Sequence, residues 1–341
     1  MSDQGAAAPT RTAVAAAVRS ALDRSVTAVD PLDGGMNAVY RVAVGGSSDV
    51  AVKVGTAQEG AALLSGPLLA ERLARETSVP VPEILAAVPA DESPLDAAYV
   101  VMEFVDGRRV TDVRDLSPTT HERLLREAGD HLAAVHGLDY EGPYGRLVAE
   151  GDAFAVEYPF DAWAPAYRSI VEWNLERFED RFDDLRAPVR RGLDAFEDSV
   201  DEDVVDQSIL YRDYHAKNLV FERADADRAV RAVLDFNYRP VGDAPVDVAV
   251  AETTLVDTPL GDTDRADRRR ATLRDAYVDA RDGVHEEYFD DRYPAYRLLS
   301  VLDHLHYFEY FVQFVPGDDD DAAEWLREFV RARVAELVGE E

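Results

Sequence analysis

Cysteine is missing from all 341 residues, and lysine occurs only twice, as Lys53 and Lys217. The first absence excludes disulfides, thiolate metal sites and a cysteine nucleophile. Long apolar runs are missing too: no stretch approaches the ~18 residues needed to span a membrane. The N-terminal "MSDQGAAAPTRTAVAAAVRSAL" lacks an apolar core of signal-peptide length. A cytoplasmic location is therefore expected. Basic residues are scarce as a class, 36 against 68 acidic ones, for a net charge of −32. Nucleic acid and anionic membrane require a basic face, so neither is expected as a partner. So large an acid excess repels itself at low ionic strength and is screened by salt, which points to a halophilic source. With 47% hydrophobic residues, the chain is long enough for two domains or lobes.

What is present reads in two halves. Residues 9–23 form a helix with Val14, Val18 and Leu22 on one face. "AVYRVAV" and "DVAVKV" are strands joined by the turn "GGSS". Val50, Val52 and Val54 share a strand face, with Lys53 on the other. A helix over 67–77, an extended "VPVPEIL" and a buried strand over 97–105 follow, up to Asp106-Gly107. Beyond that point helices dominate. Ser117 caps and Pro118 opens one that ends at Gly137. Others are expected across 163–199, 264–281, 294–314 and 321–338, with "GDDDD" (317–321) as a solvated loop before the last. Trp163, Tyr167, Trp173 and Phe178 read as packing residues. His304 and His306, two apart, cannot face together as a metal pair on a helix.

"SILYRDYHAKNLVFE" (208–222) and the later "VLDF" hold the chemistry. Two short strands, 219–221 and 230–234, would form a hairpin with its tip between Ala226 and Asp227. Asn218 and Asp235 are equidistant from that tip, and Asp213 sits in the loop feeding the first strand. An Asn carbonyl and an Asp carboxylate are hard ligands suited to Mg²⁺ shared with phosphates. A separate Asp213 is free to accept a proton from a hydroxyl. That division suits phosphoryl transfer, where positioning and charge neutralisation do most of the catalysis. A glycosidase pair of Asp213 and Asp235 is the alternative, but it leaves Asn218 without a role.

"YRDYHAKN" followed by "LDFNYRPVGDAPVDVA" resembles the catalytic and metal-binding segments of the aminoglycoside phosphotransferase and choline kinase-like family. "GGMNAVYRV", "VAVKV", "SVPVPEIL", "YVVMEFVDGR" and "HLAAVHGLD" resemble its nucleotide loop, lysine strand, linker, hinge and pre-substrate helix, in the same order. The resemblance implies an α+β, bilobal protein-kinase-like fold, with a small strand-rich N-lobe (1–106) and a larger, mainly helical C-lobe (107–341). It implies ATP and Mg²⁺, with the γ-phosphate moved to a hydroxyl of a small molecule. Asp213 would be the catalytic base, and Asn218 and Asp235 the Mg²⁺ ligands. Lys53 would contact the α/β-phosphates, and Gly34, Gly35 and Asn37 would form the loop over them. Backbone groups of Glu103 and Val105 would hold the adenine, while Asp243 and Asp247 would brace the catalytic loop and His215 support it. A lysine kept mid-strand in so arginine-rich a chain fits a need for a compact point charge.

There are departures from the pattern. Tyr211-Arg212 stands where His-Gly is usual, and Lys217 replaces a common Gly. The glutamate that normally pairs with the strand lysine falls near Gly66, with Glu71 a turn later and Glu59 upstream. A nucleotide-binding regulator without turnover is accordingly the alternative function. The acceptor stays open among sugars, amino alcohols, glycated amines and antibiotics.

Overall fold

In the computed structural model, residues 8–32, 37–46, 48–56, 60–223, 226–260, 264–282, 284, 289, 292–315 and 317–339 are described. Two compact units emerge. The first comprises the chain to Gly107 with Arg146–Glu157 and Arg231–Arg239, and the second Arg108–Gly145, Tyr158–Val230 and Pro240 onward.

In the first unit, α1 (Arg11–Leu22) starts at Thr10, whose hydroxyl accepts from Ala13 N, and buries Val14 and Val18. β1 (Val26–Leu32), β2 (Ala38–Val44), β3 (Val50–Val54), β4 (Ile84–Val88) and β5 (Tyr99–Glu103) make one sheet in the order β1-β2-β3-β5-β4. Every neighbouring pair is antiparallel. The β2–β3 hairpin turns at Gly45 and Gly46, the latter at φ 75°, where a residue with a Cβ is disfavoured. Val50, Val52 and Val54 are buried together with Val14 and Val18. Each such side chain contributes about 1.5–3 kcal/mol when removed from water.

Between β3 and β4 lies α2 (Gly60–Glu76). It begins seven residues before the expected start, so Pro67 sits inside the helix rather than opening it. A proline there forfeits one backbone bond, but α2 buries Leu63, Leu69 and Leu73, and that packing outweighs the local preference. β1 was not foreseen. Only Val29 is buried along it, so the strand shows no alternation to read.

In the second unit, β6 (Arg108–Arg109) leads to α3 (Pro118–His136). Ser117 caps α3 as expected, accepting from Thr120 N. The hairpin of β7 (Tyr144–Glu150) and β8 (Ala153–Phe160), whose middle belongs to the first unit, was also unforeseen. Next come α4 (Trp163–Leu175), α5 (Arg186–Ser199), β9 (Gln207–Ile209), β10 (Leu219–Phe221), β11 (Val230–Val233), which from Arg231 belongs to the first unit, and β12 (Pro240–Asp243). The chain ends in α6 (Pro245–Glu252), α7 (Thr258–Leu260), α8 (Asp264–Ala280), α9 (Tyr293–His306), α10 (Phe308–Phe311) and α11 (Asp319–Val338). Gly129 lets α3 approach α8: a Cβ there would lie 2.7 Å from Leu273 O and Tyr277 N.

The aspartates of "GDDDD" are not a loop. Asp318 caps α11 in a capping box with Asp321, and Asp319–Asp321 fill its first turn, where negative charge complements the helix dipole. Trp163, Tyr167 and Phe178 are core residues as expected, but Trp173 is exposed, with Arg177 stacked on its ring. No helix among the described residues is long and apolar enough to cross a membrane.

Candidate active site

Lys53 projects from β3 on the face opposite the valines, yet it is only 9% exposed. A buried ammonium needs an anion, and Lys53 Nζ finds Asp235 Oδ1 at 2.9 Å. Asp235 follows β11 with φ at 62°, a left-handed conformation that costs a non-glycine residue about 1–2 kcal/mol. Arg239 holds the bend by donating from Nη2 to Asp235 O at 2.7 Å. The other carboxylate oxygen of Asp235 meets no donor among the described residues.

A cavity in the same unit, open to solvent, is lined by Lys53, Asp235, Ile84, Val100 and Met102. Gly66 and Asn237 close one wall of it. A Cβ on Gly66 would fall 2.1 Å from Asn237 Oδ1. At the place where the family's glutamate is expected, a side chain on Gly66 would require Asn237 to move. Glu71 is exposed, and Glu59 lies outside the described residues, as do Gly34 and Gly35. Asn37 is half-buried just ahead of β2. The Glu103 amide donates to Glu83 O at 2.8 Å, so that N–H is already used within the sheet. Val105 follows the strand, half-buried.

In the second unit, Asp213 is fixed through both oxygens. His215 Nε2 contacts Oδ1 at 2.9 Å, and Asn218 Nδ2 donates to Oδ2 at 2.8 Å. The Asn218 amide also reaches Asp213 O at 3.2 Å. With its N–H groups turned to Asp213, the carboxamide has Oδ1 directed away from that residue. The loop is braced from beneath by Asp247, 1% exposed. Its carboxylate accepts from Tyr211 N at 2.5 Å, Arg212 N at 2.7 Å and His136 Nε2 at 3.0 Å. Because a carboxylate only accepts, His136 donates from Nε2, and its Nδ1 then accepts from Tyr277 Oη at 2.9 Å. Arg212 itself has φ at 52°, so the brace holds backbone that local preference disfavours.

Asp243 is fully buried and bonded to Arg292 Nε (2.8 Å), Tyr296 Oη (2.5 Å) and Asp206 N (2.8 Å). It therefore ties β12 to α9 rather than touching the loop, a correction to its expected bracing role. Burial pushes its carboxyl up to about 6 even beside Arg292.

Each donor by itself suits a hard cation. Asn218 Oδ1 in the second unit and the second carboxylate oxygen of Asp235 in the first are oxygen ligands of the kind Mg²⁺ takes alongside waters and phosphates. Among the described residues no cluster of three His, Asp or Glu could hold a metal ion.

A sequence model described as the phosphotransferase enzyme family matches residues 29–288. The chain belongs to that family. No curated protein sequence matches this phosphotransferase. Among solved structures it is similar to a candidate aminoglycoside phosphotransferase from Ralstonia eutropha, at 18% identity and a TM-score of 0.62, covering 96% of this chain and 98% of the other. A candidate fructosamine-3-kinase from Thermobifida fusca is 20% identical with a TM-score of 0.60, over 97% and 100% of the two chains. A thermostable mutant of aminoglycoside phosphotransferase APH(4)-Ia, in ternary complex with ADP and hygromycin B, is 19% identical with a TM-score of 0.62, over 94% and 98%. At these identities the likeness establishes the fold: bilobal and protein-kinase-like, with a strand-rich N-lobe and a mainly helical C-lobe. Sequence reasoning missed Gly66 against Asn237. Both are unremarkable in one dimension, and only their contact gives them meaning.

Proposed function

We propose that this phosphotransferase moves the γ-phosphate of ATP to a hydroxyl of a small molecule, with Asp213 as the base. The observation that carries the reading is the Asp213 carboxylate, held by His215 and Asn218 in a loop that Asp247 braces. A base fixed before substrate arrives avoids reorganisation during the reaction. Asp213 takes the proton of the acceptor hydroxyl as its oxygen bonds to the γ-phosphorus and the bond to the ADP oxygen breaks. Lys53 would lie against the α/β-phosphates, oriented by its pairing with Asp235. Gly34, Gly35 and Asn37 would cover the phosphates, and the adenine would meet the Glu103–Val105 backbone. Mg²⁺ held by Asn218 and Asp235 would offset the charge that develops on the phosphate oxygens.

Structural neighbours with ADP and hygromycin B, or with AMP-PNP, Ca²⁺ and amicoumacin, support this assignment. The alternative of a regulator without turnover rested on the displaced glutamate and on Tyr211-Arg212. Against it, Lys53 has an anion in Asp235, and the Tyr211 and Arg212 amides are both held by Asp247. The acid excess, together with the near-absence of lysine, leads us to infer a cytoplasmic protein of a salt-rich cell.

The test is transfer from γ-labelled ATP with magnesium in about 2 M KCl, where surface charge is screened, using a small-molecule extract as acceptor. Asp213→Ala should lower transfer by about 10²–10⁴-fold while Mg-ATP binding persists. Equal transfer by the variant would remove Asp213 from the chemistry.

A further inference from the structure

Beside the catalytic loop, within the second unit, lies a cavity that opens to solvent. His215, which contacts Asp213, lines it. In a chain with 68 acidic residues, a surface concavity should gather carboxylates, and this one does not. Asp112 is the single carboxylate among its lining residues. Both oxygens of Asp112 are engaged, Oδ1 by Arg114 N at 2.8 Å and Oδ2 by Arg114 Nε at 2.7 Å. The single full cation of the lining, Lys217, donates to Tyr310 Oη at 2.7 Å and lies 4.2 Å over that ring.

The remaining wall includes Val113, Pro259 and Phe311. Phe311 stacks on His304, with ring centroids 4.1 Å apart. His304 is 3% exposed. Its Nε2 is 3.5 Å from Thr258 Oγ1, a distance at the limit of a hydrogen bond. Its Nδ1 meets no partner among the described residues. Burial pushes its pKa down to about 3, so the imidazole is neutral at ordinary pH and able to accept or donate. A buried polar nitrogen without a partner is destabilising, a deficit that a hydroxyl reaching it would remove.

We propose that this cavity receives the acceptor, and that the acceptor is an uncharged, ring-bearing polyhydroxy compound rather than an amine. Its apolar face lies on Phe311, Val113 and Pro259, one hydroxyl bonds to His304, and another is turned toward Asp213. An ammonium group would leave water for a site whose carboxylates among the described residues, Asp112 and Asp213, are each engaged through both oxygens, a desolvation with little compensation. The inference rests on the phosphotransfer reading but makes a separate demand on the product.

The experiment reads the charge of the labelled product. The full-length protein, γ-labelled ATP, magnesium and a small-molecule extract are incubated, and labelled compounds other than ATP and inorganic phosphate are separated by ion exchange at pH 7. The expected product behaves as a phosphate monoester with no other charge. Label in a compound that also carries a cationic group, or a second anionic group, overturns the inference and leaves phosphotransfer standing. No labelled product at all overturns the phosphotransfer reading, and this inference with it. A second arm uses His304→Phe, which keeps the stacked ring and deletes the nitrogen. The KM for the purified acceptor should rise about tenfold, the equivalent of ~1.4 kcal/mol, with kcat less affected. Retained Mg-ATP binding verifies that the variant is folded. An unchanged KM in that folded variant removes His304 from the acceptor site and overturns the assignment.

Discussion

Gly66 packs so closely on Asn237 that a methyl group added to the glycine would stand 2.1 Å from Asn237 Oδ1. The obstructing atom belongs to a side chain 4% exposed, and the Asn237 backbone N is only 3.2 Å from the same point. Gly66→Ala should therefore cost about 1–3 kcal/mol by overpacking and weaken Mg-ATP binding through the shared cavity wall. Thermal unfolding and nucleotide titration of the variant measure both. A melting temperature at or above that of the parent would show that Asn237 yields freely.

Asp247 offers a second test. Its removal in Asp247→Ala leaves the Tyr211 and Arg212 amides without an acceptor, at about 1–3 kcal/mol each if both stay buried. The left-handed Arg212 also loses its restraint. Turnover should fall by more than the affinity for Mg-ATP does, because the loop that carries Asp213 loosens while Lys53 and Asp235 are untouched. Steady-state kinetics beside equilibrium nucleotide binding separate the two effects. Parallel losses in both would assign Asp247 a global rather than a local role.

Acid should destabilise the protein well above the carboxylate range. His121, 2% exposed and bonded to Leu255 O, has its pKa pushed down to about 4 by burial and by Arg269. That of His304 falls to about 3. A base with a depressed folded pKa contributes stability that is complete above its unfolded value near 6.5 and is lost as pH falls toward the folded one. Asp243 opposes this: raised to about 6, it makes the folded state bind the extra proton between about 3.8 and 6. His131, also pushed down to about 4 by burial, makes three such histidines. They leave a net loss as pH falls from 6.5, offset toward the lower end by Asp243 and by Glu127, Asp130 and Asp257, which burial raises. Each histidine is worth about 1.4 kcal/mol per pH unit. Melting temperatures taken from pH 7.5 to 4.5 should fall across that window, and His121→Gln should flatten the slope. A pH-independent melting temperature would contradict the neutral histidines.

Salt is the fourth variable. At a net charge of −32, stability should rise steeply as KCl increases from about 0.05 to 1 M, where the screening length shrinks to ~3 Å. NaCl should act similarly, since screening does not depend on the identity of the cation. A stability that depends on potassium alone would mean specific ion sites instead.

Much of this was legible in one dimension because the informative residues sit where local rules act. The Ser117-Pro118 start of α3, the glycine turn after β2 and the buried face of β3 follow from caps, turns and period-two burial. That Asp213 and Asn218 lie close together was legible too, since both fall within one short loop; that the amide bonds the carboxylate was not. What could not be read depends on contacts between distant segments. β1 hides because six of its seven residues are not buried. The anion for Lys53 is 182 positions away, so counting along α2 could not find it. His304 looked like a failed metal ligand, and only the ring of Phe311 and the cavity around it give the histidine a purpose.

The Lys53–Asp235 pair carries one more consequence. Kinase-like proteins whose lysine is held by a helix glutamate can be turned off by swinging that helix, since the ion pair breaks as it leaves. Here α2 brings a glycine to that place, and the lysine is held by the aspartate that precedes Phe236. Among the described residues, α2 meets the segment that holds Lys53 by packing, Gly66 against Asn237, two positions after Asp235. A shift of α2 would act on the pair through that steric contact rather than by carrying a charge away.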